Sequence, residues 1–147
     1  MPTSPEGYII RPYNPNDRNP LMNFFMNVQR GNRRLSEDLM LCVRSRNVTV
    51  LVAELEQRIV GYGEFHKSGF RSIYFHHAAV LRPKREQGIF TDILSEVMRR
   101  AGKSEITAEI TRDANHLELM KRVGFVITEE LPRYRYALKR PRLPLFG

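Results

Sequence analysis

The sequence predicts a mixed α/β domain with a central β-sheet of about seven strands and about four helices. The chain has 147 residues, a length typical of one domain with a real core. Its composition of 41% hydrophobic and 10% aromatic residues is typical of a globular protein. Alternating and helical apolar patterns follow one another in the order β, α, α, β, β, β, α, β, α, β, β. That order alone fits several folds.

The first part of the chain predicts one strand and two helices. Tyr8–Arg11 reads as a strand, which Pro12 and the turn residues after it stop. A helical face follows, with Met22 and Met26 beside its apolar residues Leu21, Phe25 and Val28. We expect residues 32–34 to break this helix and Ser36 to cap the next one, with Leu35 stapled onto Met40.

Three strands are predicted next, over residues 48–54, 59–66 and 70–81. A polar turn at residues 56–58 separates the first two, and residues 67–69 end the second. The third strand has apolar residues on both faces, with Phe70 on one of them. This pattern predicts a central strand that is covered on both sides.

The second half of the chain predicts a helix, a strand, a helix and two strands. The first helix carries a buried stripe and ends at Gly102; the stripe consists of Ile89, Ile93, Leu94, Val97 and Ala101. An alternating strand follows with Ile106, Ala108 and Ile110. Asp113 or Asn115 caps a helix that turns Leu117, Met120 and Val123 inward and ends at Gly124. The last strands cover residues 125–128 and 134–139. We expect a single domain over residues 1–147, with an N-terminal extension (1–7) and a Pro-rich tail (140–147).

Charge and cysteine content narrow the classes of partner. Lys and Arg number 24 against 16 Asp and Glu, a formal net charge of +8, which favours anionic partners such as phosphorylated cofactors. No specific nucleic-acid motif, zinc-like spacing or apolar run long enough to span a membrane is present, so neither a metal nor a membrane is expected. The lone Cys42 indicates a reducing, cytoplasmic location.

A polar loop at residues 84–88 lies between a strand end and a helix start. Amides in the first turn of a helix lack partners within the helix, and the helix dipole adds positive charge there. Gly88 lets the backbone approach an anion, and Arg85 supplies a full charge. The loop is therefore suited to holding phosphate.

Residues 80–94 resemble the pyrophosphate loop of the GNAT superfamily of acyl-CoA N-acyltransferases. The family pattern is Val-x-x-Pro-x-x-Arg-x-x-Gly-Ile-x-x-x-Leu, and the residues on or near its positions are Val80, Pro83, Arg85, Gly88, Ile89 and Leu94. Residues 119–125 are similar to the family's Leu-Tyr-x-x-x-Gly-Phe segment. The resemblance covers residues 8–139 and implies the GNAT fold, with helices on both faces of the sheet.

The resemblance implies acetyl-CoA or another acyl-CoA as cofactor and an amine as acceptor. Backbone groups of Val80 and Leu81 are expected to pair with the pantetheine arm, and Asn115 to contact it. Amides of the following stretch are expected to hold the pyrophosphate: Arg85, Glu86, Gln87, Gly88, Ile89 and Phe90. The implied function is N-acetyltransferase.

Two residues are candidates for the base that deprotonates the amine. His76 lies four residues before Val80, where some GNAT amine acetyltransferases carry a histidine, and imidazole accepts a proton at neutral pH. Glu64 is the second candidate and acts through water. Adjacent His77 is expected on the opposite face, in a structural role.

The chain also departs from the family pattern. Met120 stands where many relatives have a thiolate-protonating tyrosine, Phe90 where many have Gly or Ala, and Glu86 brings negative charge to the loop. An alternative is therefore a catalytically degenerate GNAT fold that serves as a structural component of an assembly such as a phage virion. In that case the 140–147 tail is expected to contact an oligomer or assembly partner.

Overall fold

The computed structural model describes residues 7–45, 47–81, 88–111 and 116–144, with the side chains of residues 76 and 111 excepted. Its element order is the predicted one, with a short 3-10 turn at Pro15–Asp17 added before the first helix. The elements are β1 (Ile9–Pro12), α1 (Arg18–Val28), α2 (Arg33–Val43), β2 (Val48–Leu55), β3 (Arg58–Gly69), β4 (Ser72–Val80), α3 (Ile89–Ala101), β5 (Glu105–Thr111), α4 (His116–Arg122), β6 (Val126–Leu131) and β7 (Arg135–Arg140).

The seven strands are hydrogen-bonded in the order β1-β2-β3-β4-β5-β7-β6. β1 and β2 are antiparallel, as are β5 and β7, and β6 and β7, whereas β4 and β5 are parallel. The predicted mixed sheet of seven strands with four helices is thereby confirmed. None of the helices in the described ranges is long and apolar enough to cross a membrane.

The chain divides into two compact units, each made of two stretches of sequence. The first unit comprises residues 1–64 and 77–96, and the second comprises residues 65–76 and 97–147. β3, β4 and α3 each contribute one part to either unit. The single-domain organisation stays a prediction.

An aromatic cluster forms part of the core of the first unit. Phe24 and Phe25 of α1 meet Tyr62 of β3 edge-on, with ring centroids 6.0 and 4.9 Å apart, the geometry that aromatic pairs favour. Leu21 and Phe25 are buried as predicted. The predicted flanking residue Met22 is only half-buried, because Phe24 takes the inner position.

A partly buried ion pair holds the start of α1 to β1. Arg11 donates from both terminal nitrogens to the two carboxylate oxygens of Asp17 at 2.7 Å, and its Nε donates to Glu54 of β2 at 2.8 Å. Hydrogen bonding to Arg11 lowers the pKa of Asp17. Because this pairing is bidentate and charged, it is a strong anchor for the helix start.

The predicted cap of the second helix is wrong by one turn. Asn32 is the N-cap of α2, and its side chain accepts from the Leu35 amide at 3.1 Å. Ser36 lies inside the helix, where its hydroxyl donates to the Asn32 carbonyl at 2.8 Å. Leu35 is exposed and is no staple. Asn32 can do what was expected of Ser36 because an amide oxygen accepts from the third residue equally well.

The predicted start of the third strand is also wrong. Residues 70 and 71 form a two-residue turn between β3, which runs to Gly69, and β4, which starts at Ser72. Phe70 in this turn is 83% exposed instead of lying on a core face. Arg71 has a φ of 53°, the left-handed conformation that follows a type I turn in many hairpin loops.

The second unit buries most of the residues that the helical and alternating patterns predicted, although Ile110 and Val123 are only half-buried. Val97, Ala101, Ile106, Ala108, Leu117 and Met120 are all buried. Gly102 and Gly124 follow the ends of α3 and α4 with φ angles of 58° and 109°, as expected of helix-ending glycines. Arg140 was expected to open the tail. Instead it is the buried last residue of β7.

Candidate active site

The start of α3 has the geometry expected of a phosphate-binding helix terminus. Gly88 has a φ of 82°, which favours glycine, and its carbonyl accepts from the Asp92 amide at 3.0 Å. Amides ahead of Asp92 belong to the first turn, where an α-helix provides no acceptor. Gly88 therefore makes the bend from which α3 begins, as the sequence predicted.

A glycine in β3 allows α3 to approach the sheet closely. A Cβ atom at Gly61 would lie 2.7 Å from Cγ2 of Ile89, the first residue of α3, and 3.4 Å from Cδ1 of Ile93. Ile89 and Ile93 are completely buried. Gly61 was not among the predicted site residues, although a glycine inside an apolar strand often marks such an approach.

Tyr8 joins the chain just before β1 to the same helix start. Its hydroxyl donates to Oδ2 of Asp92 in the first turn of α3, and it would lie 3.6 Å from a Cβ atom at Gly88. Tyr8 is 2% exposed. Because 84 positions separate the two partners, no local pattern could have revealed the contact.

The end of β4 carries the residues expected to meet the pantetheine arm. Val80 and Leu81 are both buried. The Leu81 amide donates to the Val60 carbonyl at 2.9 Å. Because that amide is already engaged, the pairing through Leu81 stays a prediction for its carbonyl.

Of the remaining residues predicted to bind the cofactor, the structure describes two. Ile89 and Phe90 form the first turn of α3, and both are buried. The side chain of Phe90 is thus part of the core rather than an exposed obstacle at the helix start. The other four predictions lie outside the described residues: Arg85, Glu86, Gln87 and Asn115.

Glu64 on β3 is a completely buried carboxyl group. Burial raises its pKa to about 7, although a hydrogen bond from Tyr62 opposes the shift. The Tyr62 hydroxyl lies 3.4 Å from Oε1 of Glu64, and burial also raises the pKa of that phenol. A carboxyl group with a pKa near neutrality is suited to accepting and releasing protons at physiological pH.

His77 on β4 is the histidine whose described side chain meets Glu64. Its Nε2 lies 3.7 Å from Oε1 of Glu64, and its side chain is 45% exposed. Burial of the remainder lowers the pKa of His77, so the imidazole is neutral at pH 7. His77 was predicted to have only a structural role. The side chain of His76, the first candidate base, lies outside the described structure.

Hairpin register explains why Glu64 and His77 meet. The Leu81 amide donates to the Val60 carbonyl at 2.9 Å, which pairs the end of β4 with β3. Four steps along each strand from that pair lead to His77 and Glu64. Closer to the turn, side-chain contacts join Ser68 with Ser72 and His66 with Tyr74, a register one residue away, so the turn by itself does not indicate the contact.

Met120 of α4 is 2% exposed. A thioether has no proton to donate, so the family's usual tyrosine donor is absent at this position, as the sequence analysis stated. Within the described ranges, no group of three or more His, Cys, Asp or Glu side chains is arranged to hold a metal ion.

The family assignment follows from a comparison with known sequence families. The sequence model described as "Acetyltransferase (GNAT) domain" matches residues 21–137. The chain belongs to the GNAT acetyltransferase family. The match covers the hairpin of Glu64 and His77, the start of α3 and most of both units. A search of curated proteins gave no match.

Solved GNAT acetyltransferase structures share this fold at low sequence identity. A Corynebacterium glutamicum protein, described as histone acetyltransferase HPA2 and related acetyltransferase, has a TM-score of 0.80 and 16% identity over 95% of this chain and 99% of its own. PaiA N-acetyltransferase from Thermoplasma acidophilum, solved with coenzyme A, has a TM-score of 0.69 and 11% identity over 93% and 99%. An aminoglycoside 6'-N-acetyltransferase, also complexed with coenzyme A, has a TM-score of 0.74 and 12% identity over 95% of this chain and 99% of its own.

Family membership confirms the main functional predictions. This GNAT domain is an N-acetyltransferase that transfers an acyl group from acyl-CoA to an amine, and acetyl-CoA is the family's cofactor. The comparisons give no support to the alternative of a degenerate virion component.

Proposed function

We propose that Glu64 and His77 together form the base of this GNAT acetyltransferase. One observation carries the proposal: a completely buried carboxyl group with a pKa of about 7 lies 3.7 Å from a half-exposed, neutral imidazole. Paired titratable groups with shifted pKa values are typical of active sites. The proposal replaces water-mediated action of Glu64 with action through His77.

The accessibility of the two side chains assigns their roles. The acceptor amine must lose a proton to attack the thioester, since a lysine-like amine has a pKa of about 10.4. Glu64 has no exposed surface, so an acceptor cannot touch its carboxyl group. His77 is exposed on one side and takes the proton, while Glu64 orients the imidazole and stabilises its charged form. The new N–C bond forms as the C–S bond breaks, and solvent protonates the departing thiolate.

The cofactor residues of the proposal lie at the start of α3 and the end of β4. The first-turn amides from Gly88 to Phe90 hold the pyrophosphate, together with the loop of Arg85, Glu86 and Gln87. The Leu81 carbonyl and the backbone of Val80 pair with the pantetheine arm. The positive φ of Gly88 and the engagement of the Leu81 amide support this division of roles.

Replacing each member of the pair tests the assignment. We expect Glu64→Gln and His77→Gln each to lower kcat by a factor of about 10² to 10⁴, while acetyl-CoA still binds in calorimetry. The wild-type rate should rise with pH through about 7 as Glu64 ionises. The readout is thiol release with a panel of amines.

His76→Gln is the matched control, since it changes the neighbouring histidine. We expect it to retain most activity. If His76→Gln abolished turnover while His77→Gln did not, His76 would be the base that the sequence analysis placed first. Full activity of Glu64→Gln at pH 7 and 8 would refute the pair altogether.

The C-terminal segment remains a proposed contact for an oligomer or assembly partner, and the cytoplasm remains the proposed location. Leu143 is 45% exposed, yet its amide donates to the Lys103 carbonyl at 2.9 Å. Deletion of residues 141–147 leaves buried Arg140 in place and tests the contact by light scattering. An unchanged molar mass would exclude a partner that binds through this segment.

A further inference from the structure

Asp92 places a carboxylate in the helix turn where the proposed function needs a phosphate. Asp92 is the fourth residue of α3, and its amide donates to the Gly88 carbonyl. The positive end of a helix attracts any anion, whether from a ligand or from the helix itself. An unrestrained Asp92 carboxylate is therefore a local competitor for the pyrophosphate.

Tyr8 holds that carboxylate in place. Its hydroxyl donates to Oδ2 of Asp92, and its ring is buried, so the donor is fixed by packing. Hydrogen bonds from a hydroxyl to a carboxylate are among the stronger ones in proteins. The bond both satisfies Asp92 and directs its charge toward Tyr8.

The same hydroxyl lies against the bend that opens the helix. A Cβ atom at Gly88 would stand 3.6 Å from the Tyr8 oxygen, an ordinary van der Waals distance. Tyr8 is thus adjacent to the Gly88 backbone, whose φ of 82° sets the direction of the first-turn amides. One buried side chain supports the bend and restrains the competing anion.

We propose that Tyr8 is a positioning residue for acyl-CoA, which keeps Asp92 away from the first-turn amides of α3 and fixes the Gly88 bend. This inference rests on the proposed cofactor site. It concerns binding of the pyrophosphate and leaves the roles of Glu64 and His77 unchanged.

Calorimetry with acetyl-CoA on the full chain tests the inference. We expect Tyr8→Phe to raise Kd about tenfold, since a charged hydrogen bond is lost and Asp92 is released. Tyr13→Phe removes a hydroxyl that has no part in this contact, so its Kd should match the wild type. Equal Kd values for Tyr8→Phe and the wild type would overturn the inference.

A second substitution separates the freed charge from a merely structural loss. In the double variant Tyr8→Phe/Asp92→Asn the competing charge is gone, so Kd should return to within about twofold of wild type. A double variant as weak as Tyr8→Phe would refute restraint of Asp92. Asp92→Asn alone should bind acetyl-CoA at least as tightly as the wild type. Tenfold weaker binding by Asp92→Asn would contradict the inference, and this test remains valid if Tyr8→Phe fails to fold.

A truncated donor distinguishes this inference from the proposed cofactor site. S-acetylpantetheine lacks the pyrophosphate, so kcat/KM with this donor should be equal for Tyr8→Phe and the wild type. A wild type that binds no acetyl-CoA would end both proposals. Normal wild-type binding with an equal loss for both donors in Tyr8→Phe would end only the role of Tyr8.

Discussion

Substituting Gly61 by alanine tests how closely α3 must approach β3. The added Cβ would lie 2.7 Å from Cγ2 of Ile89, whereas carbon atoms in contact ordinarily lie about 3.5–4.0 Å apart. The distance between the two carbon atoms must therefore increase by roughly 1 Å. Ile89 is completely buried, and a β-branched side chain in a helix has one strongly preferred rotamer. The helix start itself must shift.

The size of the effect follows from two opposing terms. Overpacking of this kind costs about 1–3 kcal/mol. The φ of Gly61 is not positive, so alanine fits the backbone there. Alanine also restricts the unfolded chain, which stabilises the folded protein by about 0.4–1 kcal/mol. We expect a net loss of about 1–2 kcal/mol, which lowers Tm by roughly 3–8 °C for a chain of this size.

Thermal and urea unfolding measure the loss, with Gly69→Ala as the matched control. Gly69 lies on the same strand, and a Cβ atom there would meet only Ser72 at 3.8 Å, so the control should be neutral or slightly stabilising. Because Ile89 begins α3, Gly61→Ala should also weaken acetyl-CoA binding. Truncation in Ile89→Ala removes the clashing methyl group, so adding Gly61→Ala to that variant should cost nothing further. An unchanged Tm for the single variant Gly61→Ala would refute the close-approach reasoning.

Two further predictions concern buried charge. The folded-state pKa of Glu64 is about 7 against an ordinary 4.5, so the stability of the wild type should fall by about 3 kcal/mol as pH rises from 4.5 through 7. Glu64→Gln should lack that slope in urea unfolding at pH 5 and 8, and an identical slope would contradict the shift. Arg140 donates to the Gly102 carbonyl at 3.0 Å and to the Ser104 carbonyl, both in the turn between α3 and β5. Arg140→Met should cost about 1.5–3 kcal/mol, whereas exposed Arg142→Met should cost under about 1 kcal/mol; equal losses would remove the special role of Arg140.

Local sequence patterns were enough to predict the order of the elements and most of their buried faces. The stripe of α3 and the glycines that end α3 and α4 were predicted correctly. Helix and strand periodicities depend on residues three or four positions apart, or two apart, and burial follows directly from them. The pyrophosphate loop could be predicted in the same way, because its residues are contiguous, and it stays a prediction.

The site could be predicted only in part, because its key contacts depend on register and packing. The register of β3 against β4 decides whether His77 faces Glu64, since register changes the partner of every residue on a strand. The Gly61 approach to α3 arises only when strand and helix pack together.

The sequence by itself determined the family and the order of the elements, and it predicted a place for a phosphate. Each of these follows from short runs of neighbouring residues. Only the tertiary structure decided that a buried Glu64 lies beside His77 and that Tyr8 restrains Asp92. Those contacts join residues 13 and 84 positions apart, and their free energies come from burial and hydrogen bonding that exist only once the chain is folded.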